Sequence, residues 1–167
     1  DEFLLFCHNR NMNYKKIIEN WDKDFPNLNV VNGHLFGLSS EQNNIEFHPD
    51  IKQNDFEILY NRCGLHLCLS DSEFHTINQC TLSKSVPIIL DCPVNYCDSD
   101  ICFSVSSKKK KNKLYLGSKY NVDIDNFVKK IGEIQKLSYT TLEIMGKNGR
   151  ISAIKYHGLN DKYFKKE

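Results

Sequence analysis

Short, nearly unbroken apolar runs alternate with longer amphipathic stretches along this chain. Phe3 to Cys7, Leu28 to Val31, Leu65 to Leu69 and Val86 to Leu90 are such runs. Runs of this kind mark strands covered on both faces. Between them, Tyr14 to Trp21 sets Ile17, Ile18 and Trp21 on one helical face. Asn54 is placed to cap a helix from Asp55 to about Cys63, with Gly64 at its C′ position. A helix from about His75 to Leu82 follows the polar turn Ser70–Glu73.

Ile45 to His48 reads as a further short strand, and Ile101 to Val105 as the last of the series. Ser106 to Lys113 reads as a solvated lysine-rich loop, with a small extra strand at Leu114 to Leu116. Asp123 caps a helix reaching about Leu137, Ser138 caps another reaching Tyr156, and Asn160 or Asp161 starts a last short turn. Strands alternating with helices predict βαβ units. The expected fold is α/β: a Rossmann-like, mainly parallel sheet flanked by helices, with residues 1–167 forming one domain without internal repeats.

Composition narrows the function. The net charge is +1 with 26% charged residues, which gives no general attraction to nucleic acid or to an anionic membrane. No apolar stretch approaches the length needed to span a bilayer. The 40% apolar content supports a packed core. Seven cysteines, mostly in apolar runs and without a C-x-x-C pair, read as buried thiols in a reducing, cytoplasmic setting rather than as a metal site. The chain opens directly on a core strand, which leads us to expect a piece of a longer protein or one that has lost a first domain.

In an open parallel sheet, ligands bind at the carboxyl ends of the strands. Four segments converge there: His8 to Asn13, Asn32 to Ser39, Ser70 to His75, and Asp91 to Tyr96. Ser70 to His75 joins a strand to a helix start, where free N–H groups favour an anion. Ser72 and Glu73 suit either a helix cap or a ligand contact. Arg10 is able to pair bidentately with a phosphate or to stay solvated. His75 suits an acid, a base or an exposed cap residue. His66, inside an apolar run, reads as a core histidine. The chain holds no Walker A loop, G-x-G-x-x-G, G-x-S-x-G or H-E-x-x-H.

The segment from Asn44 to Tyr96 resembles the donor-binding core of group-one retaining glycosyltransferases of the GT-B fold. The residues that carry the resemblance are Asn44-Ile45-Glu46-Phe47, then Cys63-Gly64-Leu65-His66-Leu67-Cys68-Leu69-Ser70-Asp71-Ser72-Glu73, and finally Val86-Pro87-Ile88-Ile89-Leu90-Asp91-Cys92-Pro93. Leu137-Ser138 and Gly146-Lys147-Asn148-Gly149-Arg150 are similar to the family's closing helices.

The resemblance implies a two-domain enzyme whose second domain grips a nucleotide sugar, without a metal or other cofactor. It implies catalytic roles for Glu73, against the donor sugar, and for His75. It implies donor binding by Arg10, Ser72, Phe74, Gln79 and Asp91, with Gln79 at the ribose hydroxyls. The expected partners are the nucleotide sugar and an N-terminal domain, or another protein in its place.

The chain also departs from the pattern. The family's Gly-Phe-Gly is reduced to Phe74, the second glutamate of the pair is Gln79, and the first-loop lysine is replaced at Met12-Asn13. These departures define a second reading: a glycosyltransferase-like module that has lost its chemistry and serves as a binding or scaffold unit. A flavodoxin-like or response-regulator-like domain is the third, and it lacks the acidic cluster at the end of the first strand.

Overall fold

The computed structural model describes residues 2–7, 12–70, 74–91, 98–109 and 120–156, without the side chains of 74, 75 and 156. The elements in chain order are β1 (Phe3–Phe6), α1 (Met12–Glu19), β2 (Leu28–Val31), β3 (Ile45–His48), α2 (Gln53–Arg62), β4 (Leu65–Cys68), α3 (Phe74–Leu82), β5 (Val86–Asp91), β6 (Phe103–Lys109), β7 (Tyr120–Val122), α4 (Ile124–Ile134) and α5 (Tyr139–Tyr156). A 3-10 turn at Gly33–Phe36 follows β2.

The strands form one seven-stranded sheet in the order β3-β2-β1-β4-β5-β6-β7. All pairings are parallel except β6 with β7. This is the expected α/β Rossmann-like arrangement. The four apolar runs expected as strands are the adjacent strands β2, β1, β4 and β5. Leu65 pairs with both Phe3 and Val86.

Alternation along each strand divides the interior. Phe3, Leu5, Leu28, Val30, Leu65, Leu67, Val86 and Ile88 share a cluster with Tyr14, Ile17 and Trp21 and with Phe127, Ile131 and Ile134 of α4. Trp21 meets Phe3 and Phe25 edge-on and donates its indole N–H to the Pro26 carbonyl at 3.0 Å. On the other face, Leu4 and Val31 pack with Leu59 and Cys63, while Cys68 and Ile89 pack with Ile77 and Cys102. Each aliphatic side chain so buried contributes roughly 1.5–3 kcal/mol.

That second face also carries polar residues. Asn29 donates to Glu2 Oε2 at 3.1 Å and accepts from His48 Nε2 at 2.9 Å and from Arg62 at 3.4 Å. His66 is 2% exposed, the core histidine the apolar run implies. Its Nε2 donates to the carbonyls of Cys63 (3.0 Å) and Tyr60 (3.2 Å). Burial lowers its pKa to about 4, although both carbonyl bonds favour the charged ring.

Several boundaries differ from the sequence expectation. α2 starts at Gln53 with no side-chain cap, so Asn54 is inside the helix and does not cap it. Gly64 does not adopt the left-handed conformation of a C′ glycine; Gly37 is the described glycine with positive φ. The segment Ser106–Lys109 is strand and not loop, because Ser106 pairs with Asp91 of β5 and Ser107–Lys109 find a partner in Tyr120–Val122. Asp123 does cap α4, accepting from the Asn126 amide at 3.2 Å, and Ser138 caps α5 through the Thr141 amide at 3.2 Å. The expected strand at 114–116 and last turn at 160–161 lie outside the described residues.

α5 runs closely over α3 and the turn before β5. Gly146 lies against the Lys84 backbone, Gly149 against the Thr81 side chain, and Arg150 donates to the Leu82 carbonyl at 2.9 Å. No helix of the described residues is long and apolar enough to cross a membrane.

Candidate functional site

The chain builds β1, β2 and β3 outward in one direction, then returns beside β1 to build β4, β5 and β6 in the other. The junction of β1 and β4 is therefore the topological switch point, the position at the carboxyl edge where open α/β sheets bind ligands. The described residues just beyond β1 and β4 are at this edge. Cys7, the first residue beyond β1, is buried, and its amide donates to the Val31 carbonyl at 3.0 Å. Ser70, just beyond β4, is fully buried. Asp91 ends β5 and is exposed; its carbonyl accepts from Ser107 Oγ at 2.7 Å.

A buried amide ties this edge together. Asn13, in the first turn of α1, is 0% exposed. Its Nδ2 donates to the Leu69 carbonyl at 2.9 Å and to the Tyr120 carbonyl at 3.0 Å. Its Oδ1 accepts from the Val122 amide at 3.0 Å. One side chain thus joins α1, the exit of β4 and β7. From the sequence, Asn13 closes the first crevice segment, His8 to Asn13, and stands where the family pattern has a lysine; its role as a buried brace is not among the expectations. The available signal was that Asn13 falls on the same helical face as Ile17, where a polar residue must find partners.

The β6–β7 ribbon explains how β7 reaches Asn13. β6 pairs with β5 as far as Asp91–Ser106, then continues beyond the sheet edge as Ser107–Lys109, paired to β7. Asp123, just after β7, is held below its usual pKa by the Asn126 amide and by Lys108, whose ammonium lies 3.4 Å away.

The expected site residues fall into three groups. Arg10, Ser72 and Glu73 lie outside the described residues, as do the segments 8–11 and 92–97 of the expected crevice. Phe74 and His75 form the start of α3, directly after the β4 exit, with their side chains not described. Gln79 lies further along α3 and is exposed. The topology puts the start of α3 and the end of β5 at the same edge. Among the described residues no group of three or more His, Cys, Asp or Glu is arranged to hold a metal ion.

No protein-family model matches the chain, and no curated protein matches it in sequence. Solved structures do match its fold. HepE from Anabaena, in complex with UDP-glucose, superposes with a TM-score of 0.64 at 11% identity, covering 92% of this chain and 44% of that one. TarM superposes with a TM-score of 0.59 at 13% identity, covering 96% of this chain and 34% of that one. Both are GT-B glycosyltransferases. The likeness to this class that the Asn44–Tyr96 segment suggested therefore holds for the fold. The chain spans less than half the length of either structure.

Proposed function

We propose that this chain is the donor-binding domain of a retaining glycosyltransferase, working at the crevice between β1 and β4 with a facing domain that residues 1–167 do not supply. The observation that carries the reading is the strand order. It sets the ends of β1 and β4 side by side at one switch point, in a fold shared with a protein solved with UDP-glucose.

In this reading the nucleoside diphosphate lies over the start of α3. Free amides there and the guanidinium of Arg10 meet the charge that grows on the leaving diphosphate as the anomeric carbon is attacked. Ser72 and the backbone at Phe74 help hold the diphosphate, and Asp91 closes the β5 side. Glu73 holds the sugar, His75 serves as acid or base beside it, and Gln79 reaches the ribose hydroxyls. No metal or other cofactor enters the scheme. The reading also places the protein in the cytoplasm, in keeping with five described cysteines that are buried.

The second reading, a scaffold or binding module, is favoured by the motif itself. With Gly-Phe-Gly reduced to Phe74, the backbone loses glycines that allow close approach to a diphosphate. Gln79 offers a neutral acceptor where the family pattern has a charged one. Calorimetric titration with UDP-glucose and other nucleotide sugars separates the two. Binding that Glu73→Ala abolishes supports the donor domain. No heat at millimolar ligand, from this chain and from the chain joined to its facing domain, would leave the module reading in place.

A further inference from the structure

Asn13 does more than fill a polar gap. Its Nδ2 and Oδ1 engage the Tyr120 carbonyl (3.0 Å) and the Val122 amide (3.0 Å), groups on residues i and i+2 of β7. This is the pattern by which the N–H and C=O of one residue of a parallel strand pair with a strand edge. The side-chain amide therefore takes the place of one residue of a neighbouring strand and covers the edge of β7 away from β6. The second hydrogen of Nδ2 goes to the Leu69 carbonyl at 2.9 Å. Two carbonyls at the nitrogen and one N–H at the oxygen fix which way the amide points. The bonds span 56, 107 and 109 residues of sequence.

The consequence reaches the crevice. Leu69 and Ser70 lead from β4 toward the start of α3, and both are fully buried. We propose that Asn13 is a positioning residue for the ligand crevice: it holds the exit of β4 in fixed register with β7, so that the β6–β7 ribbon serves as one wall of the donor site. This rests on the reading that the crevice takes a nucleotide sugar. Only a primary amide of this length offers two donors and an acceptor here. An aspartate keeps the contact to the Val122 amide and sets a carboxylate oxygen against the two carbonyls.

The test compares Asn13→Asp with the unaltered chain by thermal unfolding, by amide hydrogen exchange without ligand, and by titration with UDP-glucose. We expect a folded variant whose Val122 amide stays protected, whose Ser70 and Ile77 amides exchange at least tenfold faster, and whose affinity for UDP-glucose falls about tenfold. A purely structural role would lower the unfolding midpoint and leave the affinity of the folded protein unchanged; that result overturns the proposal. If the unaltered chain does not bind UDP-glucose, the functional reading fails by itself, and exchange decides the positioning role. Faster exchange confined to residues 120–124 would then refute it. Should Asn13→Asp not fold, Asn13→Ser, small and uncharged, takes its place with the same readouts.

Discussion

Gly146 of α5 lies directly against the backbone carbonyl of Lys84, so that a Cβ at position 146 would overlap that oxygen. Lys84 is itself held in the left-handed region at φ 65°, and the overlap is with backbone, which no side-chain rotation relieves. We expect Gly146→Ala to destabilise the fold by about 3 kcal/mol or more. Gly149→Ala should cost less than about 1.5 kcal/mol, because its nearest neighbour, Thr81 Cγ2 at 3.3 Å, is a side chain that yields. Urea midpoints of the two variants check this, and equal values would refute the close-approach argument.

His66 makes stability depend on pH. Its folded pKa of about 4 lies below the unfolded value of 6.5, because burial disfavours the charged ring. The unfolded chain thus binds the proton more readily. The contribution is fully present above pH 6.5 and is lost as pH falls from there toward 4, a loss of about 3 kcal/mol. In His66→Gln that component is absent. The stability gap between the two proteins should narrow by about that amount between neutral and acid pH, and parallel pH profiles would show that His66 does not titrate in this way.

Asn29 is the hub of the polar cluster on the α2 face, touching Glu2, His48 and Arg62. It is 1% exposed, whereas the Arg62 side chain is 52% exposed. Asn29→Ala should cost about 2–3 kcal/mol, since it removes buried partners. Arg62→Ala should cost less than about 1 kcal/mol, as expected of an exposed ion pair. Denaturant titrations compare them; a larger loss in Arg62→Ala would place the weight of the cluster on its charges.

Gln79 is exposed on α3, so its replacement should leave the fold unchanged. If the chain is a donor domain as proposed, Gln79→Glu supplies a charged acceptor for a ribose hydroxyl, and we expect a gain of about 1 kcal/mol or roughly fivefold in affinity for UDP-glucose. Calorimetry on the two proteins decides it. Unchanged binding in a chain that does take UDP-glucose would remove position 79 from the site.

The sheet was legible because its strands are buried on both faces and announce themselves as apolar runs. β1, β4 and β5 could be read directly, and the caps Asp123 and Ser138 followed from local side-chain chemistry. β7 was not legible. Tyr120–Val122 is only three residues long and is strand because β6 runs past the sheet edge to meet it. The same nonlocal pairing turned Ser107–Lys109 from an expected loop into strand. The brace at Asn13 depends on residues more than 100 positions away, and no local pattern specifies such partners. Asp91 and the start of α3 could be assigned to one edge because parallel strands all end on the same side.

The seam between β1 and β4 also sets an order of assembly. β1 meets β4 through two register pairs, Phe3↔Leu65 and Leu4↔His66, whereas it meets β2 through four. The strands β1 to β3 and β4 to β6 each join neighbours close in sequence, and among the strand pairings the seam is the one that must close a loop of about 60 residues. We expect each half to gather first and the halves to dock late, so that the crevice comes into being only as the chain completes its folding. A nascent or damaged chain would then be unable to hold a ligand before it is whole.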